Sequence, residues 1–157
     1  MPTTMVTTIK LQVNGKAQSV EVDPSTPLLF VLRNYLLLNG PKYGCGLQQC
    51  GSCMVLLDGK AEPSCMIPVD SVKTKAITTL EGLTKSNGDL HPVQQAFVTE
   101  QAAQCGYCLN GMVMQAVALL KEDPKPDDAA IRAALQRSLC RCGTQSRIIK
   151  AVKRAAG

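Results

Sequence analysis

From Thr7 to Val13 apolar and polar residues alternate, the period of a half-buried strand. Asn14-Gly15 then gives a strong short-hairpin signal, and alternation resumes from Gln18 to Val22. Pro24 to Pro27 interrupts it, with Pro27 suited to a first helical turn and Ser25 or Thr26 to its cap. Leu28, Leu29, Val31, Leu32 and Leu36 supply a helical stripe, and the glycine-bearing loop Gly40-Pro-Lys-Tyr-Gly-Cys-Gly follows. Met54 to Leu57, the Asp58-Gly59 turn and the stretch to Cys65 predict a second hairpin. Two hairpins around a helix predict an α+β domain over residues 1–82.

After Leu80-Glu-Gly-Leu the period changes. Residues 84–90 have linker composition, and four amphipathic helices are expected beyond them, in a domain over 83–157. One runs from His91-Pro92 to about Ala103, with Val93, Ala96 and Phe97 on one face. A second runs from near Cys108 to Lys121, and a third is capped by Asp127 or Asp128 and carries Ile131, Leu135 and Leu139. The fourth spans about Thr144 to Ala156. Short connections between such helices predict a small bundle.

Composition narrows the function more than the fold. With 3% aromatic residues, no Trp and a spread net charge of +5, the 157-residue chain lacks a nucleic-acid motif or a stacking platform. Arg147, Lys150, Lys153 and Arg154 read as a solvated helix face complementing the helix dipole. No apolar run reaches transmembrane length, and Met1 to Lys10 shows no secretory pattern. A cytoplasmic location, or one peripheral to the membrane through a partner, is expected. There, thiols are more often metal ligands than disulfides.

Eight cysteines form two unlike groups: Cys45-x4-Cys50-x2-Cys53 with Cys65, and Cys105-x2-Cys108 with Cys140-x-Cys142. The first is the spacing of plant-type [2Fe–2S] proteins, in a loop where Gly44, Gly46 and Gly51 let amide groups approach the sulfurs. Zinc or disulfides are the plainer alternatives for the first group. For the second, zinc competes more closely, because its spacing is less diagnostic. Both pairs of the second group open helices, where unpaired amides suit an anionic cluster.

Taken together, Gly44-Cys-Gly-x3-Cys-Gly-x-Cys, Gln104-Cys-Gly-Tyr-Cys and Leu139-Cys-Arg-Cys-Gly-Thr resemble the iron–sulfur subunit of the molybdenum hydroxylases, the xanthine dehydrogenase and aldehyde oxidoreductase family. The resemblance spans nearly the whole chain. It implies a ferredoxin-like β-grasp domain followed by a four-helix bundle. It also implies two [2Fe–2S] clusters, held by Cys45, Cys50, Cys53 and Cys65 and by Cys105, Cys108, Cys140 and Cys142. In such enzymes a large subunit carries molybdopterin cytosine dinucleotide. By resemblance, Gln104 and Cys142 would face the pterin edge. Electrons would leave through the N-terminal cluster to a cytochrome c domain or subunit, or to a flavin subunit.

Within the family, Leu32-Arg-Asn, Leu38-Asn-Gly-Pro-Lys-Tyr-Gly-Cys-Gly and Glu100-Gln-Ala-Ala-Gln-Cys-Gly-Tyr-Cys-x-Asn-Gly-Met resemble the small subunits of nicotinate dehydrogenase and isoquinoline oxidoreductase, as does His91-Pro-Val-Gln-Gln-Ala-Phe. Gln48, Gln49 and Ser52 depart from common family residues; they leave the ligands intact but alter hydrogen bonding and charge near the first cluster, and Gln145 stands where close relatives often have histidine. An aldehyde- or purine-oxidising enzyme and a free-standing two-cluster ferredoxin are the alternatives. No catalytic residue is expected in this chain. A single histidine, His91, cannot build a Rieske centre and reads as structural. Tyr43 and Tyr107 read as packing over the clusters, Met112 and Met114 as core or interface filler, and Asp127-Asp128 as a helix cap.

Overall fold

A computed structural model describes residues 5–157. The first four residues of the Met1 to Lys10 stretch, which shows no secretory pattern, lie outside the described residues. Strand β1 (Thr7–Val13) turns at Asn14-Gly15 into antiparallel β2 (Lys16–Val22), with Ile9 opposite Val20 and Leu11 opposite Gln18. Strands β3 (Met54–Leu57) and β4 (Lys60–Pro63) form the second hairpin around Asp58-Gly59. The sheet order is β2-β1-β5-β3-β4, with β5 (Ala76–Thr78) inserted between the hairpins, parallel to β1 and antiparallel to β3.

The apolar face of this mixed sheet carries Ile9, Leu11, Val13, Val20 and Val22, and packs on Leu28, Val31 and Leu32. The crossing segment is not a full α-helix. Its first turn, α1 (Leu28–Phe30), widens into a π-turn over Val31–Tyr35. The amide of Leu36 bonds to the Val31 carbonyl (3.1 Å), and Leu38 reaches Leu32 (2.8 Å). Pro27 occupies the N-cap with no side-chain cap, and the expected cap residue Ser25 bonds Asp23 instead.

Four helices follow: α2 (Pro92–Thr99), α3 (Leu109–Glu122), α4 (Asp128–Leu135) and α5 (Gln145–Ala155). They enclose a second core of Phe97, Met112, Val113, Ile131, Ile148 and Val152. Helix α2 stops four residues before the expected end at Ala103, and α4 stops at Leu135, leaving Leu139 67% exposed. The expected stripe position at Leu139 belongs instead to the segment carrying Cys140.

Caps fix the helix starts. His91 Nδ1 accepts from the Val93 amide (3.2 Å) while Gln94 Oε1 accepts from the His91 amide (2.9 Å), a reciprocal box ahead of Pro92. Asp127, rather than Asp128, caps α4 through the Ala130 amide (2.8 Å). On α5, Arg154 pairs with Glu100 (2.5 Å), Lys153 pairs with Asp128, and Arg147 bonds the Gln101 carbonyl. Such exposed pairs contribute little to stability.

Met54 and Leu56 of β3 pack on Met114 of α3, joining sheet and helices. Met112 lies in the helical core and Met114 at this junction, both buried. The join is sealed by close backbone approach. Gly51, at φ 77°, has no room for a Cβ between Ser138 Oγ (2.5 Å) and the Arg137 carbonyl (2.6 Å). A Cβ on Gly111 would collide with the Gly51 carbonyl oxygen.

Candidate metal centres

The π-turn and the sheet deliver the first thiols to one place. Arg33 donates to the carbonyls of Asn39 (3.3 Å) and Pro41 (2.8 Å), fixing the chain as it enters the Cys45 loop. Glu81 accepts from the Gly40 amide (2.6 Å) and the Thr79 hydroxyl (2.6 Å), pinning the same entry from beyond β5. At the far end of the loop, Cys53 precedes β3, and Cys65 follows β4 at the other end of that hairpin.

Amides surround the first thiols. Leu47 and Gln49 donate to Cys45 Sγ at 3.3 Å each, and the Cys45 amide donates to Cys50 Sγ at 3.3 Å. Gly44 leaves the space that Cys50 Sγ occupies, since a Cβ there would lie 2.6 Å from the sulfur. Burial opposes ionisation of Cys45, but the Leu47 and Gln49 amides and the neighbouring Cys50 bring its thiol down to about 7. Cys53 behaves oppositely: burial pushes it up to about 11 beside Cys65.

The second set sits where α3 and α5 begin. Cys108 is the N-cap residue of α3, and Thr144 is that of α5. Cys105 and Cys142 sulfurs lie 3.4 Å apart, and Cys140 Sγ lies 3.2 Å from Thr144 Oγ1. The Tyr107 amide and the Cys142 thiol lower the Cys105 pKa. Burial works against Cys140, yet the Thr144 hydroxyl and amide bring it down to about 7. Burial, with Cys140 beside it, raises Cys108 to about 12.

The eight thiols therefore approach in twos: Cys45 with Cys50, Cys53 with Cys65, Cys105 with Cys142, and Cys108 with Cys140. Among the described residues no three Cys, His, Asp or Glu side chains converge on one point. All eight cysteines are free thiols. An iron–sulfur cluster of two irons takes two thiolates on each iron, a donor set that this pairing fits. Bound iron takes thiolate, so loading would draw Cys53 and Cys108 into the ionised state that burial opposes.

Sequence alone missed the residues that join the two sets. The Leu139 amide donates to the Cys50 carbonyl at 3.1 Å, so a cysteine of one set is hydrogen-bonded to the neighbour of a cysteine in the other. Buried Asn110 donates to the Ser52 (3.0 Å) and Met54 (2.9 Å) carbonyls, its Oδ1 finding no protein partner. Tyr107 donates its hydroxyl to the Tyr43 carbonyl, while the Tyr43 ring stacks on Phe30 at 6.0 Å. Gln104 is exposed at the chain's surface beside Cys105, and Cys142 is half-buried.

Gln145 turns back to the Cys140 carbonyl (3.0 Å). Among the described residues no helix is long and apolar enough to cross a membrane.

Residues 11–82 match the 2Fe-2S iron-sulfur cluster binding domain, and residues 79–153 match the [2Fe-2S] binding domain. The chain is 59% identical to a nicotinate dehydrogenase subunit of Pseudomonas putida, over 97% of this chain and 96% of that one. It is 48% identical to the alpha subunit of isoquinoline 1-oxidoreductase of Brevundimonas diminuta, over 94% and 97%. The crystal structure of quinoline 2-oxidoreductase from Pseudomonas putida 86 superposes with a TM-score of 0.91 at 34% identity, covering 96% of this chain and 94% of that chain. Two cluster-binding domains in this order, matched end to end by such relatives, make the chain a member of the iron–sulfur subunits of molybdenum-dependent dehydrogenases and oxidoreductases, the molybdenum hydroxylase family.

Proposed function

We propose that residues 1–82 form a β-grasp domain and residues 83–157 a four-helix bundle, each holding one [2Fe–2S] cluster. Cys45 and Cys50 would hold one iron of the first cluster, and Cys53 and Cys65 the other. Cys105 with Cys142 and Cys108 with Cys140 would do the same for the second. The clusters supply one-electron carriage, and the chain supplies their spacing, insulation and connection. The observation that carries this reading is the Leu139-to-Cys50 main-chain hydrogen bond, which links the two thiol sets through the protein's own backbone.

Substrate chemistry belongs to a large partner subunit carrying molybdopterin cytosine dinucleotide. The exposed Gln104 amide, with donor and acceptor atoms, and Cys142 beside Cys105 suit the pterin edge. Electrons from hydroxylation enter there and leave at the Cys45 loop, toward a cytochrome c domain or subunit, or a flavin subunit. The relatives named for nicotinate and isoquinoline enzymes support an N-heteroaromatic substrate such as nicotinate. Identity of 37% to the iron-sulfur-binding subunit of an Escherichia coli aldehyde oxidoreductase supports an aldehyde as the second reading. We place the complex in the cytoplasm, where its partner would determine any membrane contact.

Purification under gentle conditions, with identification of copurifying chains and metals, tests this directly. The expected result is a large molybdenum-containing chain, about four irons with matching sulfide per small chain, and two distinguishable [2Fe–2S] EPR signals. A colourless zinc protein would contradict the cluster assignment. A two-cluster protein with no molybdenum partner would leave the free-standing ferredoxin. Assay of the complex with nicotinate and with aldehydes then separates the two substrate readings.

A further inference from the structure

Between Cys45 and Cys50 the ligand loop reverses at Gln48, whose φ of 58° places a residue bearing a side chain in the left-handed region. The amides on either side of this reversal, Leu47 and Gln49, are the two that donate to Cys45 Sγ. The conformation of Gln48 and the two N–H···S bonds therefore stand or fall together. Glycine would adopt this turn freely, whereas glutamine needs something to hold it.

That hold comes from the other part of the chain. Arg137 Nη2 donates to the Gln48 carbonyl at 2.8 Å across 89 positions of sequence. The Arg137 backbone is fixed on both sides. It follows the end of α4, its carbonyl lies against Gly51, and the next two residues are bonded in place. Ser138 bonds the Leu135 carbonyl (2.9 Å) and Gln115 (2.6 Å), and Leu139 bonds Cys50. Among the described residues no carboxylate lies within ion-pairing distance of Arg137. Its charge is thus presented to the loop without a local counter-ion.

We propose that Arg137 is a positioning residue for the N-terminal cluster. It clamps the reversal at Gln48, keeps the Leu47 and Gln49 amides on Cys45 Sγ, and adds positive charge beside an anionic centre. Each effect favours the reduced, more negative cluster, so all raise its potential. The potential of one cluster is thereby set by a residue of the helical part of the chain, and it holds only while the two parts stay docked. This role rests on the electron-transfer reading above. Lysine could keep the charge but not the planar, directed donor geometry of the guanidinium.

The test is potentiometric EPR titration of the purified holo-complex, carried out on the parent, Arg137→Met, Arg137→Lys and the double variant Arg137→Met with Gln48→Gly. In Arg137→Met the N-terminal signal should titrate at lower potential. The expected weakening of reduction is roughly threefold to tenfold, tenfold being about 59 mV for one electron. The C-terminal signal in the same sample should not move. Arg137→Lys should shift less, and Gln48→Gly should recover part of the loss by removing the need for a clamp.

An unchanged N-terminal potential in Arg137→Met with its iron retained, or an equal shift of both signals, would overturn the proposal. If Arg137→Met loses its N-terminal cluster, a retained and shifted signal in Arg137→Lys or in the double variant supports the clamp. Loss in all three reduces Arg137 to a folding role. A parent without two signals would sink the electron-transfer reading, and this role with it.

Discussion

Two thiols of the first set, Cys53 and Cys65, are buried against Leu29 at 2% and 5% exposure, whereas none of the second set is buried and its Cys105 stands exposed at the mouth of α3. One set is wrapped by a loop and closed by a hairpin of its own sheet. The other is assembled from two helix starts and left partly uncovered. Each set still keeps an uncovered flank, Cys105 in the second and the half-buried Cys45 and Cys50 in the first, as two centres that each meet a partner require. The two are nevertheless not independent, because Gly51, Asn110 and Leu139 lock one onto the other.

The contrast can be broken most severely by removing iron. In the isolated chain, an iron chelator under reducing conditions should abolish the C-terminal EPR signal well before the N-terminal one. In the complex the order should weaken as the partner covers Cys105. Simultaneous loss in the isolated chain would show that burial of Cys53 and Cys65 gives no protection.

Gly111→Ala attacks the lock instead. Its Cβ has no space beside the Gly51 carbonyl, and overpacking of this kind costs about 1–3 kcal/mol. A lower Tm with a disturbed N-terminal signal is expected, although the substitution lies in α3, beside the C-terminal set. Asn110→Ala should act in the same direction by withdrawing both donated hydrogen bonds, at about 1–3 kcal/mol. Thermal melts and EPR line shapes check both.

The smallest effect concerns α2, which carries no ligand. Burial, and then Lys85, lower the His91 pKa from 6.5. Its neutral Nδ1 is the acceptor that the cap requires. Above pH 6.5 both folded and unfolded states are neutral there, and the cap contributes fully. As pH falls from 6.5 through the folded pKa, the unfolded state takes up a proton first, and stability declines. His91→Ala should cost about 1 kcal/mol at neutral pH and flatten that part of the stability-versus-pH curve. Both cluster signals should be unaffected.

Much of this was readable along the chain because it depends on local order. The alternation of Thr7 to Val13, the Asn14-Gly15 turn, the second hairpin and the existence of four helices reflect short-range periods. Cysteine spacing likewise divides the eight thiols into two groups along the chain. Strand β5 was hidden because Ala76–Thr78 is too short to show a period and is held by pairing with β1 and β3. The π-turn was hidden because Leu28 to Leu36 has an ordinary helical stripe, and the widening is visible only in its hydrogen bonds. Leu139 looked like a further position on the third helix's face but is diverted by its bond to Cys50. Asn110 and Arg137 act on carbonyls more than fifty residues away, which no local pattern announces.

We propose that two separate sets of four thiols each complete one cluster. EPR and iron analysis of Cys50→Ser beside Cys108→Ser tests it most directly. Cys50→Ser should damage only the N-terminal signal, and Cys108→Ser only the C-terminal one, each variant keeping the other cluster's irons. A single substitution that erased both signals while the chain stayed folded would contradict the claim.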